Sequence, residues 1–490
     1  MTGLYIGLVA YIVITFITGI VTARKGTTKS SKEFVVGKRN YGSVLTAFSM
    51  GTTLASGFAF IGMVGMGYTM GIMATWQCIF GTILEFLCWY LLAQKMRELA
   101  VKTDSITPIE AMSHLRGDPG NKIKIVGGLL IGVIMVFYLA GQFNGGAIAA
   151  KAMNLNPALI AAVIAVMSII FIFMGGVHAA MWTNAIQGVI MIAAFFILIG
   201  VALGQVGGLG GLFAQLSVTD PKLIQWDSGR GTGPAIFYII NYWLGTALGF
   251  LAQPQGVQKY LSLKDSHSAR VSATLSCVFN IIRQMGPVLI GMCCRLIYPN
   301  IADPSAGIPT LIVDFLPNVI GGIVMAGIFA AIMSTTEGLL LQGVAELNRN
   351  FLQLGILRKR QMNDKTSNVV NKALTIALGI VGLLISLYGS GGVFTIIVFA
   401  WTCLFTSFGP PLLFGLYWKK CTSQGILAGV ATGIPATMIW YYCFKPSTGI
   451  HEAVSTIVPV IAVIVVSLLT QNKKQEENLA DQLTPLKEYD

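Results

Sequence analysis

Apolar residues run along this chain in blocks of about twenty, divided by short clusters of charge, Gly and Pro. About 20 apolar residues in a helix cross the hydrocarbon core of a bilayer. The pattern predicts an all-α polytopic membrane protein of about 13 transmembrane helices, at 3–22, 43–69, 72–94, 124–152, 157–175, 182–204, 234–257, 268–297, 318–347, 372–389, 393–417, 424–444 and 452–470. These are called spans 1 to 13. The connections test the count. Basic residues gather after the odd spans, the short fifth excepted: Lys38 and Arg39 after span 1, Arg97 and Lys102 after span 3, Lys264 and Arg270 after span 7, Arg358 and Arg360 after span 9. The even exits carry few. The positive-inside rule then puts the N-terminus outside and the C-terminus in the cytoplasm of a cell-membrane protein.

Residues 1–470 form a single transmembrane domain on this reading, and 471–490 a polar, disordered cytoplasmic tail. The stretch 205–233 is a Gly-rich external loop. The internal stretch 98–122 has room for a short amphipathic helix. The first apolar run has its basic flank after it and none before, the mark of a retained helix rather than a cleaved signal.

Composition agrees. The 490 residues are 54% hydrophobic and only 11% charged, against about 25% charged in soluble proteins. The formal net charge of +12 is the sum of the topology signals and calls for no nucleic acid. Eight scattered Cys form no CxxC or Cys/His cluster, so neither a zinc site nor a disulfide framework is expected. No nucleophile is paired with a base, and the four His are expected at surfaces, loops or helix ends. An enzyme is not expected.

Polar groups inside the spans carry the chemistry. Charged side chains at membrane depth are expensive and point to function. Three stand out: Glu85 in span 3, Arg283 in span 8 and Glu337 in span 9. An arginine can bind a substrate carboxylate through its bidentate fork. It can equally be half of a structural ion pair, and a glutamate can carry a proton. Ser334, Thr335 and Thr336 add three hydroxyls to the middle of span 9. Ser and Thr in membrane helices often bond their own i−4 carbonyl, but neutral oxygens are also hard ligands for Na⁺. Span 2 reads GTTLASGFAFIGMVGMGYTMG over 51–71, with Thr, Ser and repeated Gly interrupting the apolar pattern. Span 7 has a similar interruption, LGTALGFLAQPQG over 244–256. In secondary transporters, broken spans expose backbone groups that hold ion and substrate, and matching positions five spans apart suggest inverted repeats. Gly-rich spans also occur in ordinary helix packing.

Taken in order, FIGMVG (60–65), WTNAIQ (182–187), AQPQGVQKYLSLKDS (252–266) and IPTLIVDFLP…GIFAAIMSTTEGLLLQ (308–342) resemble the sodium/solute symporter family, above all its proline and pantothenate branches. The resemblance covers nearly the whole chain. It implies a five-plus-five inverted-repeat core of the LeuT-like fold, about 43–204 and 234–417, with additions at both ends, and alternating access coupled to Na⁺. Matched on FIGMVG and AAIMST, the family's sodium ligands fall on Thr52 and Ala55 of span 2 and on Ala331, Ser334 and Thr335 of span 9. The i, i+3, i+4 spacing of the last three puts them on one helix face. The family's substrate positions fall on Tyr138, Thr246 and Phe250, with Ser56 and Gly57 at the break beside the ion. Gln77 and Gln142 are further pocket candidates.

Two positions depart from the family pattern. Asn184 stands where an acidic residue is usual, and Leu54 where the proline branch has an aspartate. Both departures weaken an accessory cation site and leave the neutral-oxygen site intact. The expected function is import of a small polar organic solute, an amino acid such as proline or a pantothenate-like carboxylate, together with Na⁺. The alternatives are H⁺-coupled or cation-independent transport on the same fold, or a solute receptor that no longer transports.

Overall fold

The computed structural model describes residues 2–25, 30–251, 253–357, 362–389, 391–471 and 483. Helices account for nearly all of its regular structure, because a backbone in hydrocarbon must satisfy its own polar groups. Among the described residues ten helices are long and apolar enough to cross a membrane. The first, Ser43–Thr103, holds both span 2 and span 3, which turn into each other at Gly71. Two shorter apolar helices, Tyr5–Thr18 and Pro157–Phe173, complete a set of thirteen.

Local signals start and divide the helices. Asn156 caps span 5 ahead of Pro157, and Asp265 caps span 8 by accepting from the Ser268 N–H at 2.7 Å. Spans 5 and 6 run as Pro157–Gln205 and part at Gly176, whose φ of 54° lies in the left-handed region. Span 7 breaks down in its middle. It passes from Thr232–Tyr238 through a π-helical stretch, Ile239–Leu244, and the helical turn Gly245–Ala247 to Leu248–Phe250, becomes extended at Leu251, and resumes as Pro254–Leu261.

Spans 2 and 9 lie innermost, continuously buried over 49–65 and 324–345, whereas span 10 faces outward with Ile376, Ile380 and Leu384 exposed. The outer spans present Ile and Val to the surroundings, as lipid-facing helices do, for example Val9, Val13, Ile380 and Ile461. One end of the bundle is tied by basic side chains. Arg39 donates to the Ala100 carbonyl, Arg97 to the Leu263 carbonyl, and Arg349 makes a bidentate pair with Glu110. Gln258, at the end of span 7, donates to the carbonyls of Val35 and Ile106. This is called the basic end below.

The thirteen-span pattern survives, with differences in the connections. The short helix expected within 98–122 is Pro108–His114. It is packed under the basic end with Ile109 and Met112 buried, not laid on a surface. The 205–233 loop is largely helical, as Gly208–Thr219 and Pro221–Ile224. Its Leu212 and Leu216 are fully buried, which supplies the apolar face a helix needs. His451 is buried rather than at a surface. The 471–490 tail lies outside the described residues apart from Gln471 and Leu483.

The turn at Gly71 offers a clean test of this architecture. Its φ is 55°, and a Cβ there would stand 2.0 Å from the Leu223 carbonyl oxygen. Gly71→Ala therefore combines strained backbone with a clash against backbone. It is expected to cost at least roughly 1–3 kcal/mol, read as a lower Tm in detergent, while Gly200→Ala, which meets nothing and lies inside a helix, does not lower Tm.

Candidate functional site

The centre of the molecule is organised by a break in span 2. Ser56 has φ 53° and ψ 176° inside the helix Ser43–Gly57. That is a costly conformation for a residue with a Cβ. In an unbroken helix the Gly57 N–H would bond the Thr53 carbonyl, four residues back. Here it donates to Gln142 Oε1 of span 4 at 2.8 Å. The Phe58 N–H likewise turns to the Ser56 hydroxyl and the Ala55 carbonyl rather than to Leu54. The carbonyls of Thr53 and Leu54 are thereby released inside the bundle.

Span 9 meets the released backbone with its hydroxyls. Ser334 Oγ lies 3.2 Å from the Thr52 carbonyl and 3.0 Å from the Ala331 carbonyl. Thr335 Oγ1 lies 3.0 Å from the Thr53 carbonyl and 3.5 Å from that of Thr52. Thr52, Ala331, Ser334 and Thr335 are thus gathered in one fully buried place. Ala55 follows one turn along span 2, with its carbonyl bonded by the Phe58 N–H. Three carbonyls and two hydroxyl oxygens share only two hydroxyl protons, so lone pairs outnumber donors. A hard cation with oxygens about 2.4 Å away, typical of hard-cation sites, would hold adjacent oxygens about 3.4 Å apart. The spacing observed is close to that. Thr336 turns away and bonds its own helix at the Ile332 carbonyl.

Beside this cage lies an aromatic enclosure. The rings of Phe58 and Phe250 stand 4.6 and 4.7 Å from Trp401, and Tyr138 meets Trp401 edge-on at 6.1 Å. The Tyr138 hydroxyl sits near Ser56 and Trp401 without a well-formed hydrogen bond to either. Several buried polar atoms in this region lack a partner among the described residues: Tyr138 OH, Trp401 Nε1, Gln142 Nε2, Gln284 Oε1 and both ends of Gln77. Buried polar groups are normally hydrogen-bonded. A concentration of unmet donors and acceptors beside an ion cage fits a place where a polar solute supplies the missing partners. Gly81 keeps the enclosure open, since a Cβ there would lie 2.7 Å from Gln284 and 3.3 Å from the Phe250 ring.

The membrane-depth charges separate into two groups. Arg283 pairs with Glu85 at 3.0 Å, both buried, and Glu85 also accepts from Ser276. Arg283 Nη1 donates to the released Leu54 carbonyl at 3.1 Å, and the guanidinium lies 5.2 Å from the Phe250 ring centre. A guanidinium has five donors, and these contacts use two. The Nε is unpartnered among the described residues. Glu337 is elsewhere, one turn past Ser334 towards the basic end. It accepts from Thr183 Oγ1 at 3.2 Å and shares its surroundings with Lys259. Asn184 reaches Thr53 Oγ1 at 3.1 Å.

Thr246 does not join the enclosure. Its hydroxyl donates to the Tyr242 carbonyl at 2.7 Å and meets His451 Nε2 at 3.3 Å. His451 Nδ1 accepts from the Ala453 N–H, so Nε2 carries the proton and donates to Thr246. Sequence reasoning passed over Trp401, Phe58, Gln284 and Lys259. Lys259 had a signal: it is a charge within the 234–257 apolar block's extension to Leu261. Trp401 had none, because an aromatic in an apolar span is ordinarily packing.

Comparison with known proteins follows the geometry. Residues 34–433 match the model of the Sodium:solute symporter family. The sodium/proline symporter of Staphylococcus aureus is 27% identical over 485 residues, 95% of this chain and 93% of that protein. The osmoregulated proline transporter OpuE of Bacillus subtilis is 26% identical over 457 residues, 91% of this chain and 90% of its own length. Among solved structures, a Na⁺-coupled sialic acid symporter in a substrate-bound outward-open state superposes with a TM-score of 0.79 at 17% identity, covering 97% of this chain and 99% of that one. Mhp1, a nucleobase-cation-symport-1 family transporter, gives a TM-score of 0.59 at 12% identity, covering 94% and 96%. The all-helical LeuT-like fold is therefore shared across these transporters, and this chain belongs to the sodium:solute symporter family, a membrane transporter family rather than an enzyme family.

Proposed function

We propose that this protein imports a small polar organic solute bearing a carboxylate, of the proline type, together with Na⁺ by alternating access. Residues 1–470 act as one transport domain with its repeats at about 43–204 and 234–417, and the basic end faces the cytoplasm. The observation that carries the ion assignment is the convergence of the Ser334 and Thr335 hydroxyls on the backbone freed at Ser56. Na⁺ is held by Thr52, Ala55, Ala331, Ser334 and Thr335. The solute lies against Phe250, Tyr138 and Trp401, with its polar ends on Gln77, Gln142, Ser56 and the Gly57 segment. The Thr246 hydroxyl is engaged by the Tyr242 carbonyl and His451 and takes no part in holding the solute.

Arg283 supports a carboxylate. Its charge is balanced by Glu85, but most of its donors remain, and it stands beside the Phe250 ring. The relatives named for proline agree with a solute of this class. Because the ion pair is neutral overall, a monocarboxylate entering with Na⁺ adds no net charge to the bundle, whereas an amino acid zwitterion entering with Na⁺ adds one positive charge.

Sodium binding has a direct test. A ligand that binds only the folded state stabilises it by mass action, about 2.7 kcal/mol at a concentration of 100 Kd. NaCl is expected to raise the Tm of the purified protein above its value in KCl at matched ionic strength. In Ser334→Ala/Thr335→Ala the difference is expected to vanish. An equal Tm in both salts up to high concentration would remove the sodium reading and direct attention to pH-driven uptake.

The carboxylate assignment needs a charge-balanced variant. Removing Arg283 alone strands a buried Glu85 at about 3–5 kcal/mol, which confuses binding with folding. Arg283→Met/Glu85→Gln avoids that. With labelled proline and pantothenate offered to proteoliposomes under a Na⁺ gradient, the double variant is expected to raise KM roughly tenfold or more. A hydrogen bond to a charged group is worth about 1.5–3 kcal/mol. Unchanged KM for an acid that the parent accumulates would refute capture by Arg283.

A further inference from the structure

Beyond the sodium cage, towards the basic end, lies a second buried polar cluster that the transport reading does not use. Lys259 of span 7 is fully enclosed, and its ammonium donates to Ser49 Oγ of span 2 at 2.9 Å and approaches Met181 Sδ at 3.6 Å. Glu337 of span 9 is fully buried and makes no ion pair within 4 Å among the described residues; Lys259 joins its cluster through Ser49, which also receives the amide of Asn184, the neighbour of Thr183. One carboxylate oxygen accepts from Thr183. The other, Oε1, has no partner among the described residues, and neither has Asn184 Oδ1.

The cluster connects directly to the cage. The Asn184 amide reaches Ser49 Oγ at 3.4 Å and Thr53 Oγ1 at 3.1 Å, and the Thr53 carbonyl is the one that faces Thr335. It also joins the two broken helices to an unbroken one. Ser49 and Lys259 belong to spans 2 and 7, the two broken helices, whereas Glu337 belongs to unbroken span 9.

A carboxylate buried in such a place stays charged only beside a cation. The oxygens around it, from Ser49, Thr53, Thr183 and Asn184, are hard neutral donors of the kind an alkali cation takes. The lysine supplies that cation from within the cluster, with no bound ion. We propose that the Lys259 ammonium is a tethered cation standing where a second Na⁺ would otherwise bind, so that the protein works with a single bound Na⁺. The inference rests on the sodium site proposed above.

Counting bound ions tests it. Equilibrium binding of ²²Na⁺ to the purified protein, with choline as the balancing cation, is expected to saturate at a single Na⁺ per chain. In Lys259→Ala, Glu337 loses its counter-charge and the lysine stem no longer fills the space, so a second Na⁺ is expected to bind. In Lys259→Ala/Glu337→Gln the count is expected to return to a single Na⁺. If Lys259→Ala does not fold, Lys259→Gln removes the same charge at nearly the same length and gives the same reading. Two ions bound to the unaltered protein would overturn the tethered-cation proposal and leave the sodium cage standing. A folded charge-removed variant that still binds a single Na⁺ would do the same. No Na⁺ bound to the unaltered protein would instead overturn the sodium cage itself.

Discussion

The interaction on which the centre of this molecule depends is the hydrogen bond from the Gly57 N–H to Gln142 Oε1. An interior helix carries its donors and acceptors in matched pairs, and breaking one turn in an apolar bundle leaves both halves unmet. Gln142 takes the donor. The freed acceptors then fall to neighbouring helices, Thr53 to the Thr335 hydroxyl and Leu54 to Arg283. The left-handed Ser56 between them is the strained residue that these partners hold in place. The ion cage and the solute enclosure are therefore two sides of one backbone break.

That arrangement also explains how two ligands can depend on one another. A cation drawing the Thr52 carbonyl towards span 9 fixes the same short segment whose Ser56 and Gly57 border the aromatic enclosure. With Na⁺ and solute placed as proposed above, each ligand would order backbone that the other needs, and such coupling is reciprocal by thermodynamic linkage. Close approach of the helices has its own requirement. A Cβ added at Gly57 would meet nothing closer than 3.5 Å, but one at Gly338, opposite Thr53, would lie 2.7 Å from the threonine methyl. Span 9 can come close to span 2 there only because Gly338 has no side chain.

Charge follows the same economy. Two sets of buried charge at membrane depth carry opposite signs, Arg283 with Glu85 and Lys259 in the cluster of Glu337, while Glu346 near the end of span 9 is held by the amides of Gln342 and Asn350. A buried ion pair adds little net stability, because desolvation offsets the attraction. Its usefulness here is geometric. Arg283 is held where it can both occupy the Leu54 carbonyl and face Phe250.

The sequence by itself determined the thirteen spans, because apolar block length and basic flanks are properties of consecutive residues. It also determined which spans break, since Gly, Ser and Pro interrupt spans 2 and 7 locally, and its motifs located the oxygens of Thr52, Ser334 and Thr335. Only the tertiary structure decided what those residues meet. Pairing Arg283 with Glu85 joins positions almost two hundred residues apart. The turning of Thr246 to His451, the burial of Lys259 and the placing of Trp401 against Phe250 likewise depend on how helices rotate about their axes as they pack. Spacing along one span fixes which residues share a face, but not which neighbour that face is given. A helix apolar on every side carries no pattern that says so.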